Sequence, residues 1–209
     1  MINNYIYFNK CSFIFFSFYP ILNGQKLIPG NITTEISSTV PISLISTKST
    51  SILTSPNYKI LTGHSQLILS FVINKNNELI SGSFDTTIKF WNMTTGENKK
   101  DILEHSSYIW ALVINRNDEL VSASEDKSIK IWNMNTGVCK KTLTGHSKGV
   151  VSLVININDE LISGSIDSQI KIWNIQTGNC IRNLTGHSGT IWALIINRNE
   201  LISGSEDIR

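Results

Sequence analysis

The chain has 209 residues, with 18 Lys and Arg against 16 Asp and Glu, a formal net charge of +2 and 41% apolar residues. This is the composition of a globular domain of ordinary size. Basic residues are interleaved with acidic ones, so neither a nucleic-acid-binding stripe nor a polybasic membrane patch is expected.

Residues 1–23 form a leader rich in Phe, Tyr and Ile. Its uninterrupted core, CSFIFFSFYPIL, is shorter than the roughly 20 residues of a membrane-spanning helix. Lys10 ahead of an apolar run suits a signal peptide, but no small-residue cleavage pattern follows. The leader stays unassigned, with a signal or anchor as its weaker reading. Residues 24–55 are rich in Ser and Thr and show neither sustained strand alternation nor helical periodicity, which predicts a disordered linker.

From residue 56 to the end the chain repeats itself. His64, His105, His146 and His187 follow one another at intervals of 41 residues, and so do Asp85, Asp126 and Asp167, and Trp91, Trp132 and Trp173. A fixed period of this size means that one supersecondary unit is copied and buries its apolar faces against the next copy. Each unit reads as four short strands. After His146 come GVVSLVIN, ELISGS, QIKIWNI and CIRNL, rich in β-branched residues and separated by Asn, Asp and Gly turns. Turns so short require antiparallel pairing. Cys139 and Cys180 hold like places in consecutive units, where no disulfide can form; with Cys11 they make an odd set that reads as apolar residues in a reducing compartment.

The combination of Gly-His, then Ser-Gly-Ser-x-Asp, then Ile-Lys-Ile-Trp-Asn resembles the WD-repeat family, whose units are four-stranded blades of an all-β propeller. Two departures stand out: Trp-Asn replaces Trp-Asp (Asn92, Asn133, Asn174), and Glu104 replaces the Gly before His105. The resemblance implies a hydrogen-bonded set inside each blade. Blade one would supply His64, Ser81 or Ser83, Asp85 and Trp91. Blade two would supply His105, Ser122 or Ser124, Asp126 and Trp132, and blade three His146, Ser163 or Ser165, Asp167 and Trp173. A Ser, a His and an Asp invite a hydrolase reading. Repetition in every unit speaks against it, because a catalytic set is built once. Histidines on separate blades cannot converge on one metal ion, and no cofactor or small-molecule substrate is expected.

Function is expected where the copies differ. The residue before the turn Asp reads Phe84, Glu125, Ile166 and Glu206, on the face where this family commonly binds peptides. Tyr108 and Lys148 lie near the same face, just after their His residues. Five residues after each His come Leu69, Trp110, Val151 and Trp192, read as blade-to-blade packing or as a lining of the central channel. These features predict a non-catalytic scaffold that presents loops to a protein or peptide partner, in the cytoplasm or nucleus. Glycans on Asn92 or Asn183, inside the repeats, would fit poorly. The repeats are also similar to those of F-box substrate receptors of ubiquitin ligases, which is the alternative reading. Such receptors take phosphorylated segments on clustered Arg, whereas Arg116 and Arg198 fall in turns at the opposite face. Three full blades and a truncated fourth predict an open ring: a fragment, a chain completed by a partner or a second copy, or an arc stable alone.

Overall fold

The computed structural model describes residues 42–45, 59–198 and 200–207. The leader, most of the Ser/Thr-rich stretch and Cys11 lie outside these residues. Among the described residues every regular element is a strand, as expected from runs of Ile and Val that alternate with turn residues.

Two short strands come first, β1 (Ile42–Ile45) and β2 (Lys59–Thr62), paired in parallel. The stretch read as a strandless linker thus contains one strand. In repeat register β2 corresponds to an outermost blade strand, yet no blade signature precedes it, and β1 takes up its edge instead.

Three copies of one antiparallel sheet follow. The first is β3 (Ile68–Ile73), β4 (Glu78–Ser83), β5 (Ile88–Asn92) and β6 (Asn98–Ile102). The second is β7 (Ile109–Ile114), β8 (Glu119–Ser124), β9 (Ile129–Asn133) and β10 (Cys139–Leu143). The third is β11 (Val150–Ile155), β12 (Glu160–Ser165), β13 (Ile170–Asn174) and β14 (Cys180–Leu184), and a two-stranded sheet of β15 (Ile191–Asn197) and β16 (Glu200–Ser205) comes last. The innermost strands β3, β7, β11 and β15 neighbour one another in sequence order, so the sheets rank as blades around an axis. They make an open arc and do not close into a ring.

Turn chemistry repeats with the strands. The turn after the third strand is left-handed at Gly96, Gly137 and Gly178, with φ of 82°, 76° and 82°, which a residue without Cβ adopts freely. In the same turn Asn92 Oδ1 accepts the amides of Thr94 and Thr95 at 2.8 and 3.0 Å. Asn133 accepts the two equivalent amides, and Asn174 that of Thr177. An amide oxygen replaces a carboxylate in this task, which accounts for Trp-Asn in place of Trp-Asp.

The core lies between blades. Ile80, Ile88 and Phe90 of blade one are buried with Ile109, Leu120 and Trp132 of blade two, and Val121, Ala123 and Ile131 of blade two with Val150, Leu161 and Trp173 of blade three. An apolar residue at the end of each outermost strand packs into the following blade: Leu61, next to last in β2, shares a cluster with Trp91, Ile102 with Trp132, and Leu143 with Trp173. Lys100 crosses the same seam and donates to the carbonyls of Met134 and Asn135, both at 2.7 Å.

Candidate functional site

Each blade interior holds one directed chain of hydrogen bonds. In blade one Trp91 Nε1–H donates to Ser81 Oγ at 2.7 Å, and Ser81 Oγ meets His64 Nε2 at 2.7 Å. His64 Nδ1 meets Asp85 Oδ2 at 2.8 Å. Because the indole can only donate and the carboxylate can only accept, the neutral imidazole accepts from the serine and donates to the aspartate. Blade two repeats this through Trp132, Ser122, His105 and Asp126 at 2.7–2.8 Å. Blade three repeats it through Trp173, Ser163, His146 and Asp167 at 2.8–2.9 Å. In the last sheet His187 bonds Ser203 and Asp207, both at 2.8 Å.

The serine left open by the sequence is therefore the earlier of each pair. Ser83, Ser124 and Ser165 turn to the adjacent loop, where each Oγ accepts the backbone N–H of the turn Asp at 3.0–3.1 Å. Both members of a pair lie on one face of the strand, two residues apart, so periodicity cannot separate them.

Burial fixes the charge states along this chain of bonds. It depresses the pKa of His64 and of His146 below the ordinary 6.5, outweighing the pull of the partner Asp, so both imidazoles are neutral. Burial pulls Asp85 upward, but the bonds from Thr87, from the Ser65 N–H and from His64 carry its carboxyl below the usual range. The bonds from His105 and Ser128 likewise overcome burial and hold Asp126 far below that range. Asp167 follows the same pattern with His146 and the Ser147 N–H. Ser81, Ser122 and Ser163 are fully buried, and each hydroxyl is already engaged by an indole and an imidazole. Such an oxygen is not placed to meet a substrate. Among the described residues no three His, Cys, Asp or Glu side chains gather as a metal site.

The rim above these interiors is different. The residue before each turn Asp donates its backbone N–H to the residue three places after the His: Phe84 to Leu67, Glu125 to Tyr108, Ile166 to Gly149 and Glu206 to Thr190. All of the varied positions therefore sit on one rim. Phe84 and Tyr108 stack with ring centroids 4.3 Å apart, and Trp110 meets Phe84 edge-on at 5.3 Å. Trp110 then meets Trp192, two blades further on, at 5.7 Å. On blade three half-buried Ile166 takes the place of Phe84 and Gly149 that of Tyr108, with exposed Lys148 beside it.

Trp110 and Trp192 join this surface through a bulge. Pairing of each innermost strand slips by one residue at its start, between Ile109 and Ala111 and between Ile191 and Ala193. The unpaired residue is the tryptophan, and a bulge re-aims the side chain it leaves over. The two sequence readings of this position combine at Trp110, which both packs on the preceding blade and reaches across to a distant one. The indole N–H of Trp110 donates to Glu125 Oε2 at 2.8 Å, and that of Trp192 to Glu206 Oε2 at 3.0 Å. Thr190 Oγ1 adds a bond to Glu206 Oε1 at 2.9 Å. The bonds from Trp192 and Thr190 lower the pKa of the Glu206 carboxyl. At the opposite mouth, Arg116 and Arg198 line a hollow of about 600 Å³ with Asn156 and Ile157.

Four-stranded antiparallel sheets ranked by their innermost strands, each locked by one His, Ser, Trp and Asp, define a β-propeller made of repeated blades. The chain belongs to the family described as WD domain, G-beta repeat, whose model matches residues 55–92, 96–133, 137–174 and 178–207. Among solved structures it is similar to the computationally designed Ika4 protein, at 34% identity over 70% of this chain and 89% of that one, with a TM-score of 0.63. The WD40 β-propeller domain of Doa1 shares the fold, at 24% identity, 69% and 50% coverage and a TM-score of 0.66. The RRP9 WD40 repeats are 27% identical over 64% of this chain and 43% of theirs, with a TM-score of 0.60. The chain thus spans half or less of the length of the latter two. No curated protein sequence matches it.

Proposed function

We propose that the chain is a non-catalytic scaffold whose varied rim docks a protein or peptide partner. Propeller domains of this family generally mediate protein–protein interactions and typically carry no chemistry of their own. The observation that carries the reading is the contrast between interior and rim: His, Ser, Asp and Trp recur blade after blade inside, while Phe84, Tyr108, Trp110 and Trp192 make one connected aromatic surface that no other blade position repeats. Aromatic residues on rigid frames supply much of the contact energy in interfaces, and a frame already ordered limits the ordering cost of binding.

The ubiquitin-ligase alternative has no comparable support, since Arg116 and Arg198 face the mouth away from this rim. We place the protein in the cytoplasm or nucleus. Asn92 directly follows the buried Trp91 inside a blade, where a glycan would fit poorly, and Cys139 and Cys180 are free thiols. The test of the scaffold reading is affinity capture from cell extract with the wild-type chain and with Phe84→Ala/Trp110→Ala. Loss of a specific interactor in the variant is expected, and identical captured sets would remove the rim from the mechanism.

A further inference from the structure

Aromatic rings attract cations through the negative face of the ring, indole most strongly. At the rim two indoles stand edge to face, and each gives its N–H to a carboxylate, so a negative charge sits beside each electron-rich ring. Among the described residues the cation–π pairs, Lys100 over Phe90 and Lys130 over Trp132, lie in the blades and do not involve these rings. Among the described residues the Lys–carboxylate ion pairs involve Glu78, Asp101, Asp118 and Glu119, and neither Glu125 nor Glu206. Glu125 keeps its Oε1 free of any hydrogen bond within the described chain, available to a donor from outside.

We propose that this rim site binds a cationic side chain, arginine ahead of lysine, presented by an extended segment of a protein partner. The planar guanidinium can stack on the faces of Trp110 and Trp192 while its N–H groups reach Glu125 and Glu206, a combination that a point-like ammonium does not match. Phe84 and Tyr108, stacked beside Trp110, offer an apolar shelf for the stem and for the neighbouring residue of the segment. Lys148, exposed on the same rim, is the competing charge. An acidic or phosphorylated segment is the opposite of what this site fits. The inference rests on the rim being a docking face and adds the chemistry of what docks.

The test titrates the full chain with a capped seven-residue peptide bearing one central Arg, followed by tryptophan fluorescence and calorimetry. The same peptide with citrulline, Lys or Glu at the centre gives the comparison. The Arg peptide binds at least about tenfold more tightly than the citrulline peptide, with Lys between them and Glu without effect. Affinity for Arg falls as salt rises. Glu125→Gln/Glu206→Gln loses that tenfold for Arg and leaves the citrulline peptide unchanged. Trp110→Leu weakens binding of both, and Lys148→Ala tightens the Arg peptide by about twofold. Circular dichroism and thermal unfolding show that each variant retains its fold. Equal affinity for Arg and citrulline, no binding of the Arg peptide, or a double Glu variant that binds Arg as the parent does would each overturn the proposal. If all four peptides bind alike and Trp110→Leu weakens them, the docking face stands and its selectivity for cations falls.

Discussion

The same six residues, Glu-Leu-Ile-Ser-Gly-Ser, form β4, β12 and β16, and the three copies differ in what surrounds them. In β4 and β12 five of the six are buried, whereas in β16 none is. Ile80 is 0% and Ile162 3% exposed, against 49% for Ile202. An identical sequence thus has no burial of its own. The third strand on one side and the next blade on the other supply it, as nearest-neighbour stacking requires.

The sharpest way to break this comparison is to cut the same side chain in two copies. Ile80→Ala is expected to cost about 2–5 kcal/mol and Ile202→Ala about 0.5 kcal/mol or less. Urea denaturation of both variants measures it, and equal losses would show that the environments are equivalent.

Glycine in the same hexapeptide gives the next effect. A Cβ at Gly82 would lie 2.6 Å from Ile109 Cγ2, and one at Gly164 2.6 Å from Ile191 Cγ2, while at Gly204 the nearest atom is Ala193 Cβ at 3.5 Å. Blade two has Ala123 at this place, and the residue in register with Ile109 and Ile191 is Val150, one methylene smaller, in the same cluster as Ala123. Gly82→Ala should therefore cost about 1–3 kcal/mol by overpacking. Gly82→Ala/Ile109→Val should recover most of it, and Gly204→Ala should stay within about 0.5 kcal/mol. A double-mutant cycle with no coupling would reject the size-matching argument.

Acid probes the interiors of the complete blades. His64 and His146 have folded pKa values below the 6.5 they have when exposed, so the unfolded chain takes up their protons first. Stability is then lost as pH falls below 6.5. Asp85, Asp126 and Asp167 also have depressed values relative to 3.8, so their contribution is present above 3.8 and disappears as pH drops further. The urea midpoint should stay level above 6.5 as far as these groups set it, fall below that, and fall again under 3.8. Stability that rises on acidification from neutral would contradict the neutral-imidazole assignment. The smallest effect belongs to the surface: Lys75 meets Asp118 at 2.9 Å with its own side chain 70% exposed, and Lys75→Ala should change the stability read from urea denaturation by no more than about 0.5 kcal/mol.

Most of the architecture was legible because it recurs. The 41-residue interval sets the strands, their turns and the His, Asp and Trp positions before any contact is known. What stayed hidden depends on curvature and on slips in pairing. That Trp110 reaches Trp192 follows from the arc of the blades and from the bulge that re-aims both side chains, and the spacing of the residues shows neither the arc nor the slip in pairing. The choice of Ser81 over Ser83 needed the third dimension for a simpler reason, since both project from one side of β4. The parallel pairing of β1 with β2 falls in a stretch whose composition carries no pattern at all.

The seam residues Leu61, Ile102 and Leu143 show that the unit in the sequence and the blade in space are out of phase. Each of the first three matched segments opens in or beside the outermost strand of one sheet and runs to the third strand of the next, as residues 96–133 and 137–174 do. The array is laid like staggered brickwork, with every segment bridging a joint. A duplication or deletion of one 41-residue length can therefore fall anywhere in the array and still regenerate both flanking joints. Lengthening such a chain requires no new interface to be invented, only another course of the same wall.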